Sequence, residues 1–334
     1  MEKWLNLSEK EKLEILNFST YGIGLPDYVI EKDIWVTESL RKVFDTSFAS
    51  HMIFKGGTSL SKAWGVIYRF SEDIDLAIDY GYLGFKDGLT RTQVNNLRKA
   101  AQVFVKDLFY PELVQKFEGY PLKIHLEETT NSTHDPMKIF IEYQPLTKHT
   151  QYVLPKVTLE IGGRSLQEPF SARSIQSIIK EEYPDFEYIE GDPFLVPTAN
   201  VELTFLEKLF LLHETFQGPI QNITVERMSR HLYDIVQINK TEFAKNAIND
   251  QDLYRSIANH RKIFYRIGSI NYDTLFPPTL NPLPPKDQIE AWESDYKDTC
   301  EQMIVGNPPS FKDLISEIEE ITRTINQLTF EHGQ

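Results

Sequence analysis

Two aspartates one residue apart, in Arg69-Phe70-Ser71-Glu72-Asp73-Ile74-Asp75-Leu76, are the first residues of this chain that could do chemistry. Acid and apolar residues alternate from Asp73 to Ile78, the period of a half-buried strand. On a strand, Asp73 and Asp75 point to the same face. Two carboxylates side by side repel each other unless a cation sits between them. Magnesium prefers carboxylate oxygens completed by substrate phosphates. Upstream lies Phe54-Lys55-Gly56-Gly57-Thr58-Ser59. Two glycines after the apolar run His51–Phe54 let backbone approach a phosphate closely. The N–H groups of Thr58 and Ser59 then open a short helix, Thr58 to Trp64, whose dipole favours an anion. An Asp-x-Asp alone is usually a solvated strand face, and a Gly-Gly alone is a turn. Their combination at this spacing reads as one site, with phosphates on the turn and metal on the acids.

Two-metal chemistry is usually completed by a third carboxylate. Glu160, in Lys156-Val157-Thr158-Leu159-Glu160-Ile161, is the best candidate, with Glu127 and Glu142 as alternatives. Other segments read as structure. Tyr254, Arg255, Arg261, Lys262, Phe264, Tyr265 and Arg266 mark a basic, aromatic helix. It could stack on RNA, but a partly buried amphipathic helix is the plainer reading. Glu181 to Asp192 reads as an exposed acidic loop.

The elements that must position these residues follow from pattern. Ser8-Glu9-Lys10-Glu11 has the spacing of a capping box and starts a first helix. A second covers Tyr28 to Phe44. A long helix runs from Thr92 to Phe109, and strands recur near Lys123–Glu127, Ile139–Tyr143 and Val157–Ile161. From about residue 200 the texture is almost wholly helical: 201–216, 224–238, 250–266, 286–303 and 309–330. The proline-rich run Phe276–Pro285 cannot continue a helix and reads as an ordered strap. This predicts an α+β architecture: an α/β domain over residues 1–198, then a helical domain over 199–334.

The chain has 334 residues and a net charge of −14. A protein that grips nucleic acid broadly is usually basic, so any RNA contact must use a local basic patch. No apolar window is long enough to span a membrane, and no secretory signal opens the chain. The single cysteine, Cys300, forms no internal disulfide and fits a cytoplasmic protein.

Lys55-Gly56-Gly57-Thr58-Ser59-Leu60 together with Arg69–Leu76 resembles the signature of the AbiEii/AbiGii toxin family, nucleotidyltransferases of bacterial toxin–antitoxin and phage-abortive systems. Further blocks match in order: Glu31-Lys32-Asp33-Ile34-Trp35-Val36; Thr204–Leu209 with Leu212-His213-Glu214 and Ser229-Arg230-His231-Leu232-Tyr233-Asp234; and Trp292–Tyr296 with Gly306–Phe311. The resemblance implies a polymerase-β-like nucleotidyltransferase lobe followed by a helical lobe. It makes Asp73 and Asp75 metal ligands, with Glu160 as the third carboxylate. By the resemblance Gly57 to Ser59 cradle the nucleotide phosphates, Lys208 is the triphosphate contact and Asp234 a further active-site acid; Lys55 and Gly56, from the turn itself, complete the nucleotide-binding set. Asp234 stands one helical turn beyond Arg230 and His231 and could orient either. His231 has no second histidine at ligand spacing, so it is not read as a metal ligand. Lys32 and Asp33 read as a structural pair that tethers lobes. The implied reaction moves NMP from an NTP to an acceptor hydroxyl with two Mg2+ ions, the 3′ end of tRNA first among acceptors, and a separately encoded antitoxin as partner. The alternatives are transfer to a protein side chain, transfer to a small molecule, or a non-catalytic interaction protein of the same fold.

Overall fold

The computed structural model describes residues 1–150, 153–189, 191–304 and 306–330. The chain forms two compact units: Met1–Trp64 with Phe70–Ala199, and Gly65–Arg69 with Asn200–Gln334. Among the described residues no helix is long and apolar enough to cross a membrane.

The first unit runs α1 (Glu2–Asn6), α2 (Glu9–Ile23), α3 (Asp27–Val43), β1 (Met52–Lys55), α4 (Gly56–Lys62), β2 (Asp73–Ile78), α5 (Arg91–Phe104), α6 (Tyr110–Lys116), β3 (Leu122–Leu126), β4 (Met137–Tyr143), β5 (Lys156–Gly162), β6 (Phe170–Ile175), α7 (Ile178–Glu182) and β7 (Phe194–Ala199). Its strands make one seven-stranded mixed sheet, ordered β3-β4-β5-β2-β1-β7-β6. β2 is antiparallel to β1 and parallel to β5. Alternation decides the two faces. Phe54, Ile74, Leu76, Ile139, Ile141, Val157, Leu159 and Ile161 turn one way and pack in a single cluster with Trp35, Leu40 and Val43 of α3 and with Phe104, Phe109 and Leu113. Each such fully buried side chain contributes about 1.5–3 kcal/mol through apolar area removed from water. The residues between them on β2, β5 and β4 necessarily face the other way.

The capping box at Ser8 forms as expected, with Glu11 N–H bonded to the Ser8 side chain and Ser8 N–H to the Glu11 carboxylate. The helix predicted to stop at Phe109 instead passes through a π turn, Val105–Phe109, into α6. Pro111 explains this. Within a helix proline lacks its N–H and crowds the carbonyl four residues back, and a π turn accommodates that crowding. The expected loop from Glu181 to Asp192 is partly structured: α7 ends within it, and Ile189 is buried beside Trp4, Leu16 and Ile34.

The second unit contains α8 (Val201–Gln217), α9 (Ser229–Asn239), α10 (Glu242–Asn249), α11 (Gln251–Phe264), α12 (Ile289–Gln302) and α13 (Phe311–Asn326). α9 starts five residues later than 224 because Arg227 takes a left-handed backbone, φ 60. The Asp295 carboxylate accepts from the N–H groups of Arg227 and Ser229 and fixes that start. In α11, Tyr254, Arg261 and Phe264 are buried and Arg261 is paired with Glu214, so it is a packed amphipathic helix.

Candidate active site

On the face of the sheet away from the packed helices, the register assembles an acidic row. Lys55 on β1 pairs with Asp75 on β2, Asp75 with Glu160 on β5, and Glu160 with Lys138 on β4. Asp73 lies two residues along β2, opposite Thr158. Directly opposed residues have Cβ atoms about 4.5–5.5 Å apart. Three carboxylates, Asp73, Asp75 and Glu160, thus share one partly exposed face. Lys138 Nζ stands 2.7 Å from Glu160 Oε1. Burial works to lower the Lys138 pKa, and Glu160, Glu127 and Asp73 more than offset it, leaving it raised. The other candidates are engaged elsewhere. Glu127 lies 2.9 Å from His134, and Glu142 is opposed to Lys156. Glu160 is the candidate in register with Asp75.

β1 runs straight into α4 with no intervening turn. Gly56 takes φ +77, and a Cβ there would fall on the Asp75 carboxylate. Only glycine satisfies both the left-handed backbone and this approach. Thr58 and Ser59 are buried, and their hydroxyls donate to the carbonyls of Asp73 (2.5 Å) and Gly56 (2.9 Å). The Thr58 bond ties the start of α4 to the start of the Asp-x-Asp strand. With the hydroxyls so used, what the Lys55–Ser59 segment offers a ligand is its backbone N–H groups, the first of a helix having no intrahelical acceptor.

Segments flanking this face are pinned by α3. Lys32 pairs with Glu72, the residue before Asp73, and also donates to the Leu154 carbonyl at 2.8 Å. Asp33 pairs with Lys62 at 2.5 Å and accepts from Ile178 N–H at 2.8 Å. Glu31 accepts from the N–H groups of Leu146 and Thr147. Lys32 and Asp33 are structural, as expected, but they tie segments within the first unit.

Among the described residues no group of three or more His, Cys, Asp and Glu side chains is gathered closely enough to cage a metal. The donor set nonetheless fits magnesium. It consists of hard carboxylate oxygens on one open face beside a backbone segment able to hold phosphate. Magnesium usually takes one or two carboxylates and completes its shell with waters and substrate phosphates.

The remaining predicted residues meet inside the second unit. Asp234 is fully buried. Arg69 Nε and Nη2 grip its two oxygens at 2.6 and 2.8 Å, and Lys208 Nζ lies 2.9 Å from Oδ2. Burial would raise the Asp234 pKa, but Arg69 and Lys208 outweigh it and hold the carboxyl well below its ordinary range. Lys208 Nζ also stands 3.1 Å from His231 Nδ1. Asp234 therefore engages Arg69 and Lys208. Arg69 had no assigned role in the sequence. Its place in the block leading to Asp73 was the one available signal, and its partner lies 165 residues away.

Comparison with known proteins bears on the fold and the family. The nucleotidyltransferase toxin MenT4 from Mycobacterium tuberculosis H37Rv aligns over 97% of this chain and 91% of its own, with a TM-score of 0.54 and 14% identity. At that identity the likeness is one of fold. The family model described as "Nucleotidyl transferase AbiEii toxin, Type IV TA system" matches residues 39–317, and the chain belongs to that family. No curated protein sequence matches it. Membership implies a nucleotide substrate and a cognate antitoxin.

Proposed function

We propose that this toxin transfers NMP from an NTP to an acceptor hydroxyl, using magnesium held by Asp73 and Asp75 with Glu160 as the third carboxylate. The observation that carries the reading is the sheet register: it sets these three acids on one face, with side-chain-free Gly56 against Asp75. The backbone of Gly56 to Ser59 receives phosphate oxygens, and Lys55, opposite Asp75, contributes positive charge. Lys208 is assigned to the triphosphate, with Asp234 holding its ammonium. Magnesium bound there would lower the pKa of the acceptor hydroxyl and neutralise the departing pyrophosphate. Transfer forms a bond from the acceptor oxygen to the α-phosphorus and breaks the bond to the β-phosphate. The hydroxyl proton passes to a carboxylate of this face or to water. The acceptor to test first is the 3′ hydroxyl of tRNA.

The test supplies NTPs labelled at the α-phosphate, with magnesium, to total RNA and total protein, comparing wild type with an Asp73→Asn, Asp75→Asn double variant. Both residues are partly exposed, so the variant should fold. Label in a tRNA-sized band, reduced to background in the variant, is the expected result. Label in protein moves the acceptor to a side chain. Undiminished transfer by the folded variant removes the metal assignment.

A further inference from the structure

Lys208 carries an ammonium with three N–H donors on a flexible stem. Left to itself, such a group samples many rotamers, and ordering it costs side-chain entropy. Here it is held from two sides. Asp234 Oδ2 lies 2.9 Å away and His231 Nδ1 lies 3.1 Å away. Arg69 in turn fixes Asp234 with a bidentate grip. Two of the three donors are used, and the third has no partner among the described residues.

We propose that His231 is a positioning residue for Lys208: its Nδ1 accepts from the ammonium and, with Asp234, aims the remaining N–H at the anionic substrate. A neutral imidazole accepts at one nitrogen only, so this contact requires the tautomer that carries its proton on Nε2. The surroundings enforce the neutral ring. Burial, and then the charges of Lys208 and Arg230, hold His231 well below the ordinary histidine range. Lys208, Arg230 and Arg69 all act to keep the ring uncharged, and Asp234 alone acts against them. Two acceptors that differ in kind explain the arrangement. A second carboxylate at position 231 would pair fully with the ammonium and cancel its charge. A neutral acceptor fixes direction without adding a second negative charge to the ammonium.

This rests on the assignment of Lys208 to the triphosphate, so its test needs a readout that does not. Three variants serve: His231→Asn, whose amide oxygen can take the Nδ1 position; His231→Gln, whose longer side chain places its amide near Nε2; and His231→Leu, which keeps bulk and has no acceptor. The first readout is the rate at which acetic anhydride modifies Lys208 in the intact protein, followed by mass spectrometry. The Leu and Gln variants should raise that rate several-fold, with Asn near wild type. The second is NTP steady-state kinetics. KM should rise about ten-fold in Leu and Gln with kcat within about two-fold, since uniform binding is what is lost, and Asn should recover to within about three-fold of wild type. If labelling follows this order but KM does not, positioning stands and the triphosphate role of Lys208 falls. If Asn and Leu behave alike in labelling, His231 does not position Lys208 and the proposal is overturned.

Discussion

Gly56 shows how much one missing methyl group decides. Its left-handed φ of +77 would burden any other residue, and its absent side chain leaves room for the Asp75 carboxylate. Gly65 separates the two effects, because it has φ +63 with nothing within 4 Å of where a Cβ would stand. Gly65→Ala should cost only the backbone term, on the order of 1 kcal/mol, with transfer activity kept. Gly56→Ala adds a collision with a proposed metal ligand. The carboxylate must swing away, so transfer should fall at least about ten-fold, since misplacement by about 1 Å at a reacting centre can cost on the order of a hundred-fold. Melting curves beside initial rates check this. Equal activities in the two alanine variants would show that Asp75 is not constrained by Gly56. The glycine pair was legible in the sequence as a phosphate turn. That its first member also makes room for Asp75 was not, because this depends on the register of β1 against β2.

At the scale of elements, α3 is the organiser of the acidic face, and it works through charges rather than apolar surface alone. Asp33 is 4% exposed and holds Lys62, the last residue of α4, whose side chain is 5% exposed. Removing one partner of a buried pair strands the other, which typically costs about 3–5 kcal/mol. Asp33→Asn should therefore lower unfolding free energy by roughly 3 kcal/mol, the lower end of that range because Lys62 also donates to the Gln176 carbonyl. Lys10→Ala breaks an exposed pair with Glu14 at 3.8 Å and should shift stability by no more than about 0.5 kcal/mol. Urea titrations of both variants decide this, and similar shifts in the two would remove α3 as organiser. The same scale shows what sequence pattern can carry. β2 was readable because Asp73 and Asp75 alternate with Ile74, Leu76 and Ile78. β4 and β5 were readable for the same reason. β6 and β7 were not. Phe170–Ile175 is mostly small and polar, and Phe194–Ala199 contains Pro197, which argues against a strand with neighbours on both sides. β7 takes that place all the same, and its registered pairing with β1 is confined to Phe54 with Thr198. α10 also went unread, being one short helix within a run where loops and helices share a composition.

Across the whole chain, the proline-rich segment 276–285 shows how a stretch without secondary structure of its own is held by side chains brought to it. Asn326 of α13 makes a two-way bridge to the Leu280 backbone, accepting from its N–H at 3.1 Å and donating to its carbonyl at 2.9 Å. The next N–H, of Asn281, donates to His213 Nδ1 at 2.8 Å, while His213 Nε2 stands 2.9 Å from the Thr274 hydroxyl. The ordered strap was expected from the prolines, but its anchors could not be read because they lie on distant helices. His213 makes the anchor sensitive to pH. Burial lowers its pKa to about 4 from the ordinary 6.5, and a proton on Nδ1 would oppose the Asn281 N–H. The native state therefore binds fewer protons than the unfolded chain between these values. The stabilisation is fully present above pH 6.5 and is lost as pH falls toward 4, by about 3 kcal/mol at most at 1.36 kcal/mol per unit. Other groups titrate in the same window, so wild type must be compared with His213→Asn. The asparagine oxygen can accept from Asn281, and Gln217 still reaches Thr274 at 2.6 Å. Unfolding free energies at pH 7.5 and 4.5 should fall further in wild type than in the variant, with the difference approaching 3 kcal/mol. Parallel losses in the two would mean that His213 takes up its proton without releasing the strap.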